Sequence, residues 1–129
     1  MASVFEATAG LAIGYTTGDS VTQATSKSTG VTLNSAAGAI TMDDAALAAA
    51  AEVSFTVTND KVTASDVVVV NHASAGTAGS YLVQANTLAA GSFAITVSNV
   101  SGGSLGEAIV LNFVVIKAVS YTHLRAHET

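Results

Sequence analysis

Two histidines four residues apart, His123 and His127, stand in the closing run VSYTHLRAHET, Val119 to Thr129. On a helix that spacing puts two imidazoles on one face, as in a zinc pair. A third histidine, His72, follows a run of valines, with Asp66 before it and Ser74 after it. A base, a nucleophile and an orienting acid are the parts of covalent catalysis. Here a strand-length run separates Asp66 from His72, which is no motif spacing. His72 therefore reads as a strand-end residue, partly exposed or at a subunit contact. Asp43 and Asp44 offer adjacent carboxylates to a hard cation, but no loop of alternating acidic ligands continues from them. Turn or cap duty is expected instead. Asp60 and Asp66 flank a turn, where they would keep it wet and block edge pairing. The glycine-rich runs SAGTAG (Ser74 to Gly79) and SGGSLG (Ser101 to Gly106) lack the lysine and the helix of a phosphate loop, and read as flexible connections. The sequon Asn99-Val100-Ser101 reads as a strand-end turn. No catalytic residue, no cofactor-binding residue and no metal ligand is assigned, and the expectation is a protein that is not an enzyme and carries no cofactor.

Composition narrows the partners. Half of the 129 residues are hydrophobic, there is no cysteine or proline, and the net charge is −5. Nucleic acid is bound by neutralising phosphates with Lys and Arg. Only Lys27, Lys61, Lys117 and Arg125 are available, so nucleic acid is not an expected partner. No run of twenty apolar residues is present to span a membrane. The opening MASVFEATAG lacks a basic segment and carries Glu6, unlike a signal peptide.

The elements that would position these side chains are strands. In EVSFTVTN, Val53, Phe55 and Val57 alternate with Ser54, Thr56 and Thr58; in SFAITVSN, Phe93, Ile95 and Val97 do the same. Tyr81, Val83 and Ala85 point inward in a weaker alternation. Period two of this kind marks a half-buried strand. DVVVVNH and EAIVLNFVVIK are unbroken apolar runs, the pattern of strands buried on both faces. Turn residues separate the runs at intervals of about ten, which predicts an all-β antiparallel sandwich, jelly-roll-like. Residues 1–30 read as a loop-rich N-terminal arm with one edge strand around Val21 to Ala24, and residues 31–118 as the sandwich. DDAALAAAA, Asp43 to Ala51, has helix-forming composition but is short for a helix without packing support. An internal comparison bears on it. Ala49 to Asn59 aligns with Ala89 to Asn99 without a gap, and Asp66 to Asn71 with Glu107 to Asn112. If these are duplicated strand–turn–strand units, Ala49 to Ala51 is a turn. Asn71 and Asn112 then interrupt the apolar runs at matching places, either as buried, hydrogen-bonded amides or as contacts with a symmetry mate.

Four stretches, FTVTN, VTASDVVVV, AAGSFAI and FVVIK, together with the Gly-rich loop between them, resemble a group of small proteins encoded in tailed-phage and prophage genomes. The resemblance covers about residues 14–118. It implies a virion structural protein, a head decoration or a tail-fibre or spike-like component, assembled in the host cytoplasm. Implied partners are further copies, with a trimer favoured, other virion proteins and a host-surface receptor. The alternative is a bacterial surface adhesin or immunoglobulin-like module. Beyond Lys117 and Ala118 the pattern stops. Val119 to Thr129 back-translates into the transposase adapter used to prepare sequencing libraries, with Ala118 supplying the adapter's first two bases in a GCT codon. Residues 119–129 therefore read as adapter read-through, an artefactual tail, and the histidine pair as no metal site.

Overall fold

The computed structural model describes residues 18–118. Eight strands follow one another: β1 (Asp19–Thr22), β2 (Val31–Thr32), β3 (Ala37–Thr41), β4 (Glu52–Thr58), β5 (Val67–Ser74), β6 (Tyr81–Ala89), β7 (Ser92–Asn99) and β8 (Val110–Ile116). Among the described residues there is no helix. The strands form two four-stranded sheets packed face to face, a β-sandwich. Sheet I has the order β1-β3-β8-β5 and sheet II the order β2-β4-β7-β6.

The sheets are mixed rather than purely antiparallel. β1 runs parallel to β3 and β2 parallel to β4. The cause lies in the connections. From β1 to β5 the chain passes between the sheets at every step, reversing direction each time. Two reversals return it to the same sheet in the same direction. Only β6 and β7 form a hairpin between neighbours, closed by Ala90 and by Gly91 at φ 88°. A positive φ is cheap for glycine, which has no Cβ to clash.

Alternation places the core as the sequence predicts. Phe55, Phe93 and Phe113 are all buried, and Phe93 meets Phe113 edge to face across the sandwich, with ring centroids 5.5 Å apart. Ile40, Ile95, Val97, Leu111 and Val115 complete the fully buried centre. The apolar runs behave differently from expectation. β5 and β8 are buried on one face only: Val68, Leu111, Phe113 and Val115 point inward, while Val67, Val69 and Ile116 are exposed. A two-layer sandwich covers one face of each sheet, so an apolar run within it necessarily presents half its side chains outward.

One boundary is corrected and one open alternative is resolved. Residues 19–29 belong to the sandwich: β1 is an edge strand of sheet I, and Gln23 and Lys27 are buried. The described part of the expected arm is thus integral, while residues 1–17 lie outside the described residues. Asp43 to Ala51 is not a helix. Asp43 accepts the Ala45 N–H at 2.8 Å, Leu47 bridges Leu105, and Ala49 and Ala50 form the turn into β4.

The aligned segments are neighbours in space. β4 and β7 pair antiparallel with Phe55 opposite Ile95, and β5 and β8 with Asn71 opposite Asn112. Both pairs are residues that the internal alignment superposes. The equivalence extends to the strand ends. The Asn59 N–H donates to the Gly91 carbonyl, and the Asn99 N–H to that of Ala51, the position aligned with Gly91. Both amide side chains are buried. Asn59 donates to the Ser35 carbonyl and accepts from the Lys61 N–H; Asn99 donates to the Leu47 and Gly103 carbonyls and accepts from the Ser101 N–H. The sequon asparagine is therefore a strand-end lock. Asn71 and Asn112, in contrast, are exposed on the outer face of sheet I, and the expectation of buried amides is overturned for them.

Candidate functional site

His72 lies near the end of β5, half-buried, with its ring edge-to-face on Tyr81 at 5.4 Å. Its Nε2 is within 3.1 Å of the Ser74 carbonyl and 2.6 Å of the Ala75 carbonyl. Carbonyl oxygens only accept, so Nε2 carries the proton and is spent on the backbone. The Ser74 hydroxyl makes no contact with His72, and Asp66 is committed elsewhere. The structure does not assemble these three into a triad.

The side chain that organises this corner is Glu107, which sequence reasoning passed over. Its carboxylate accepts from Tyr81 Oη at 2.7 Å, from the Thr77 N–H at 3.0 Å and from Thr77 Oγ1 at 2.7 Å. Those bonds hold the carboxyl below its ordinary range. Burial, with the carboxylate beside it, pushes the Tyr81 hydroxyl up, so that it stays protonated as a donor. The arrangement pins the β5–β6 loop, residues 75–80, onto the segment before β8. That loop turns through Ala75, Gly76 and Gly79, all at positive φ. The expected flexible connection is thus anchored by a carboxylate 30 residues away from Thr77. No local pattern signals such a partner.

Asp66 also departs from expectation, being buried rather than wetting its turn. Its oxygens accept from Lys117 Nζ at 2.6 Å, the Thr63 N–H at 2.9 Å and the Ala118 N–H at 3.1 Å. Burial raises the carboxyl, but these donors outweigh it and hold it at about 2. The clamp ties the end of β8 to the turn before β5. Because the folded value lies below the ordinary 3.8, the stabilisation is present above pH 3.8 and is lost as pH falls from there toward 2. Lys117 is half-exposed, so solvent screens the pair, and Asp66→Asn should cost ~1–2 kcal/mol at neutral pH. Acid titration of the melting temperature checks this: the wild type should lose its advantage over Asp66→Asn below about pH 4. An advantage unchanged at pH 2.5 would show that the clamp is not ionic.

Asp60 is exposed, with Lys61 at 3.8 Å, and Asp43 caps its own turn. Among the described residues no three His, Asp or Glu side chains are placed to hold a metal ion. The His123 and His127 pair lies outside the described residues. Comparison with protein-family models, curated proteins and solved structures returned no match.

What remains as a candidate site is a surface. The outer face of sheet II is mainly polar, with Glu52, Ser54, Thr56 and Thr58 exposed along β4 and Ser54 Oγ hydrogen-bonded to Thr96 Oγ1 at 2.7 Å, and with Leu82 of β6 as its exposed apolar residue. The outer face of sheet I presents Ala37, Ala39 and Thr41 from β3, Asn112, Val114 and Ile116 from β8, and Val67, Val69 and Asn71 from β5. None of these is charged. Val67 is 56% exposed, Val69 50% and Ile116 44%.

Proposed function

We propose that this protein is a non-enzymatic structural component of a bacteriophage virion, a head decoration or a tail-fibre or spike-like part, acting through assembly and surface display. The observation that carries the reading is the valine-rich outer face of sheet I, where Val67, Val69 and Ile116 are exposed side by side, whereas the outer face of sheet II is mainly polar with Leu82 standing among polar neighbours. Antiparallel strands that meet water on one side alternate apolar-in and polar-out, as β4 does. Contiguous exposed apolar surface on a soluble domain marks an interface. The chemically capable side chains support the same reading, because they are occupied in holding backbone: His72 on two carbonyls, Glu107 on Thr77, Asp66 on Thr63 and Ala118. The resemblance in FTVTN, AAGSFAI and FVVIK supplies the virion context. Repeated weak contacts between copies then become strong by multivalency.

Mass spectrometry of fractionated material from a producing host tests this. Peptides from residues 18–118 should be recovered in nuclease-treated, density-banded particles. Recovery in the cell-envelope fraction alone would overturn the proposal in favour of a bacterial surface module.

A further inference from the structure

We infer that the outer face of sheet I pairs with the same face of a second copy of this chain, about a twofold axis that runs along the strands between β3 and β8. This rests on the assembly reading above and names its partner and geometry.

Three observations select a second copy. The first is charge. Each copy carries a net charge of −5, and carboxylates occupy the turns and the outer face of sheet II. Two such molecules repel wherever their acids meet. Among the strand residues of sheet I only Asp19, on the edge strand β1, is a carboxylate, and the outward positions of β3, β8 and β5 carry no charge.

The second is shape. The β5–β8 half of the face is a ridge of Val67, Val69, Val114 and Ile116. The β3 half is floored by Ala37 and Ala39, and a hollow of about 280 Å³ opens there, lined also by Gly18, Gly38, Asn112 and Phe113, with the exposed Asp19 at the β1 side. Side-chain volume thus falls from one half of the face to the other. Rotation by half a turn about an axis along the strands lays the ridge of each copy over the hollow of the other. An interface of this symmetry must be self-complementary, and a ridge beside a hollow meets that condition twice.

The third is hydrogen bonding. Asn71 and Asn112 sit opposite each other on this face and are exposed. An amide is both donor and acceptor, so Asn112, on the strand beside the axis, can satisfy its own kind across it where a charged group could not, while Asn71 lies over the Ser20 row of the second copy.

Size sets the strength. Four strands at about 4.8 Å spacing and about 20 Å long present on the order of 400 Å² per copy in projection. Doubled for the pair, that is about 800 Å², below the roughly 1,200 Å² of standard specific interfaces and in the range of weak, transient association. Dimerisation in the micromolar range is therefore expected for the isolated chain.

Sedimentation of the full chain from about 5 to 500 µM reads this directly. The wild type should pass from monomer to dimer across that range. Val69→Glu, at a half-exposed position, should remain monomeric with an unchanged circular dichroism spectrum and melting temperature. Ala39→Leu fills the hollow while making the face more apolar. It should weaken dimerisation at least tenfold if the ridge needs the hollow, whereas simple hydrophobic sticking would strengthen it. Thr56→Glu on the outer face of sheet II should behave as wild type. A wild-type chain monomeric at 500 µM, a trimer, or a Val69→Glu variant that dimerises normally would each overturn the pairing. The particle fractionation is independent of these results: a chain that is monomeric in solution yet present in virions sinks the twofold interface and leaves the virion reading standing.

Discussion

Phe93→Ala is expected to destabilise the fold by about 3–5 kcal/mol, the range for emptying a buried phenylalanine site. Phe93 is 1% exposed, lies opposite Val57 in sheet II, and reaches across the sandwich to Phe113 in sheet I. Deleting the ring removes apolar burial from one sheet and a packing partner from the other. The neighbours cannot close the gap without shifting a strand, because β7 is fixed by ladders to both β4 and β6. Domains of this size are stable by roughly 5–15 kcal/mol, so the loss is a large share of the whole. Phe113→Ala should cost a similar amount. The double variant should lose less than the sum, since both rings line one void. Urea denaturation reads the effect as a fall in midpoint at unchanged slope. A loss below about 1 kcal/mol at Phe93 would mean that its strand does not face the core.

That prediction was legible in the sequence because period two is a short-range signal. Each residue of EVSFTVTN or SFAITVSN reports its own face by its parity, with no knowledge of its partner. The alignment of Asn59 with Asn99 was legible for a related reason: both close a strand whose last N–H reaches the turn before the neighbouring strand. What escaped depends on contacts distant in sequence. Glu107 is unremarkable until Thr77 and Tyr81 are folded onto it. Asp66 looks like a solvated turn acid until Lys117 and the Ala118 N–H arrive from the end of β8. The apolar runs of β5 and β8 misled on burial, because a run of valines is the same string whether its second face meets another layer of this chain or lies open. The parallel pairs were also invisible, since they follow from the order in which the chain visits the two sheets. Lys27 was hidden most completely, inside a polar stretch with weak periodicity.

Lys27→Met should cost about 2–4 kcal/mol, a loss set by stranded acceptors rather than by lost apolar burial. Lys27 is 4% exposed, yet its ammonium is held by backbone: Nζ donates to the carbonyls of Asp43 and Glu107, the latter at 2.6 Å. Gln23 completes the junction, donating to the Lys27 and Thr29 carbonyls and accepting from the Asp43 N–H. Together they fasten the segment after β1 to the ends of β3 and the segment before β8. Methionine keeps the aliphatic stem and removes only the donor, so the two carbonyls are left with no partner from the side chain. A pH signature separates this from a packing defect. Burial lowers the Lys27 amine below its ordinary 10.5, against the opposing pull of Asp43, Asp44 and Glu107. Between the folded value and 10.5 the unfolded chain binds the proton and the folded one releases it, so this group's contribution to stability rises with pH. Tyr81 works the other way above its ordinary 10.0, but it does so equally in both proteins. The difference in unfolding free energy between wild type and Lys27→Met should therefore widen as pH is raised toward 10.5. A difference that stays constant across that range would show that the ammonium is not desolvated, and that the junction is held by Gln23 alone.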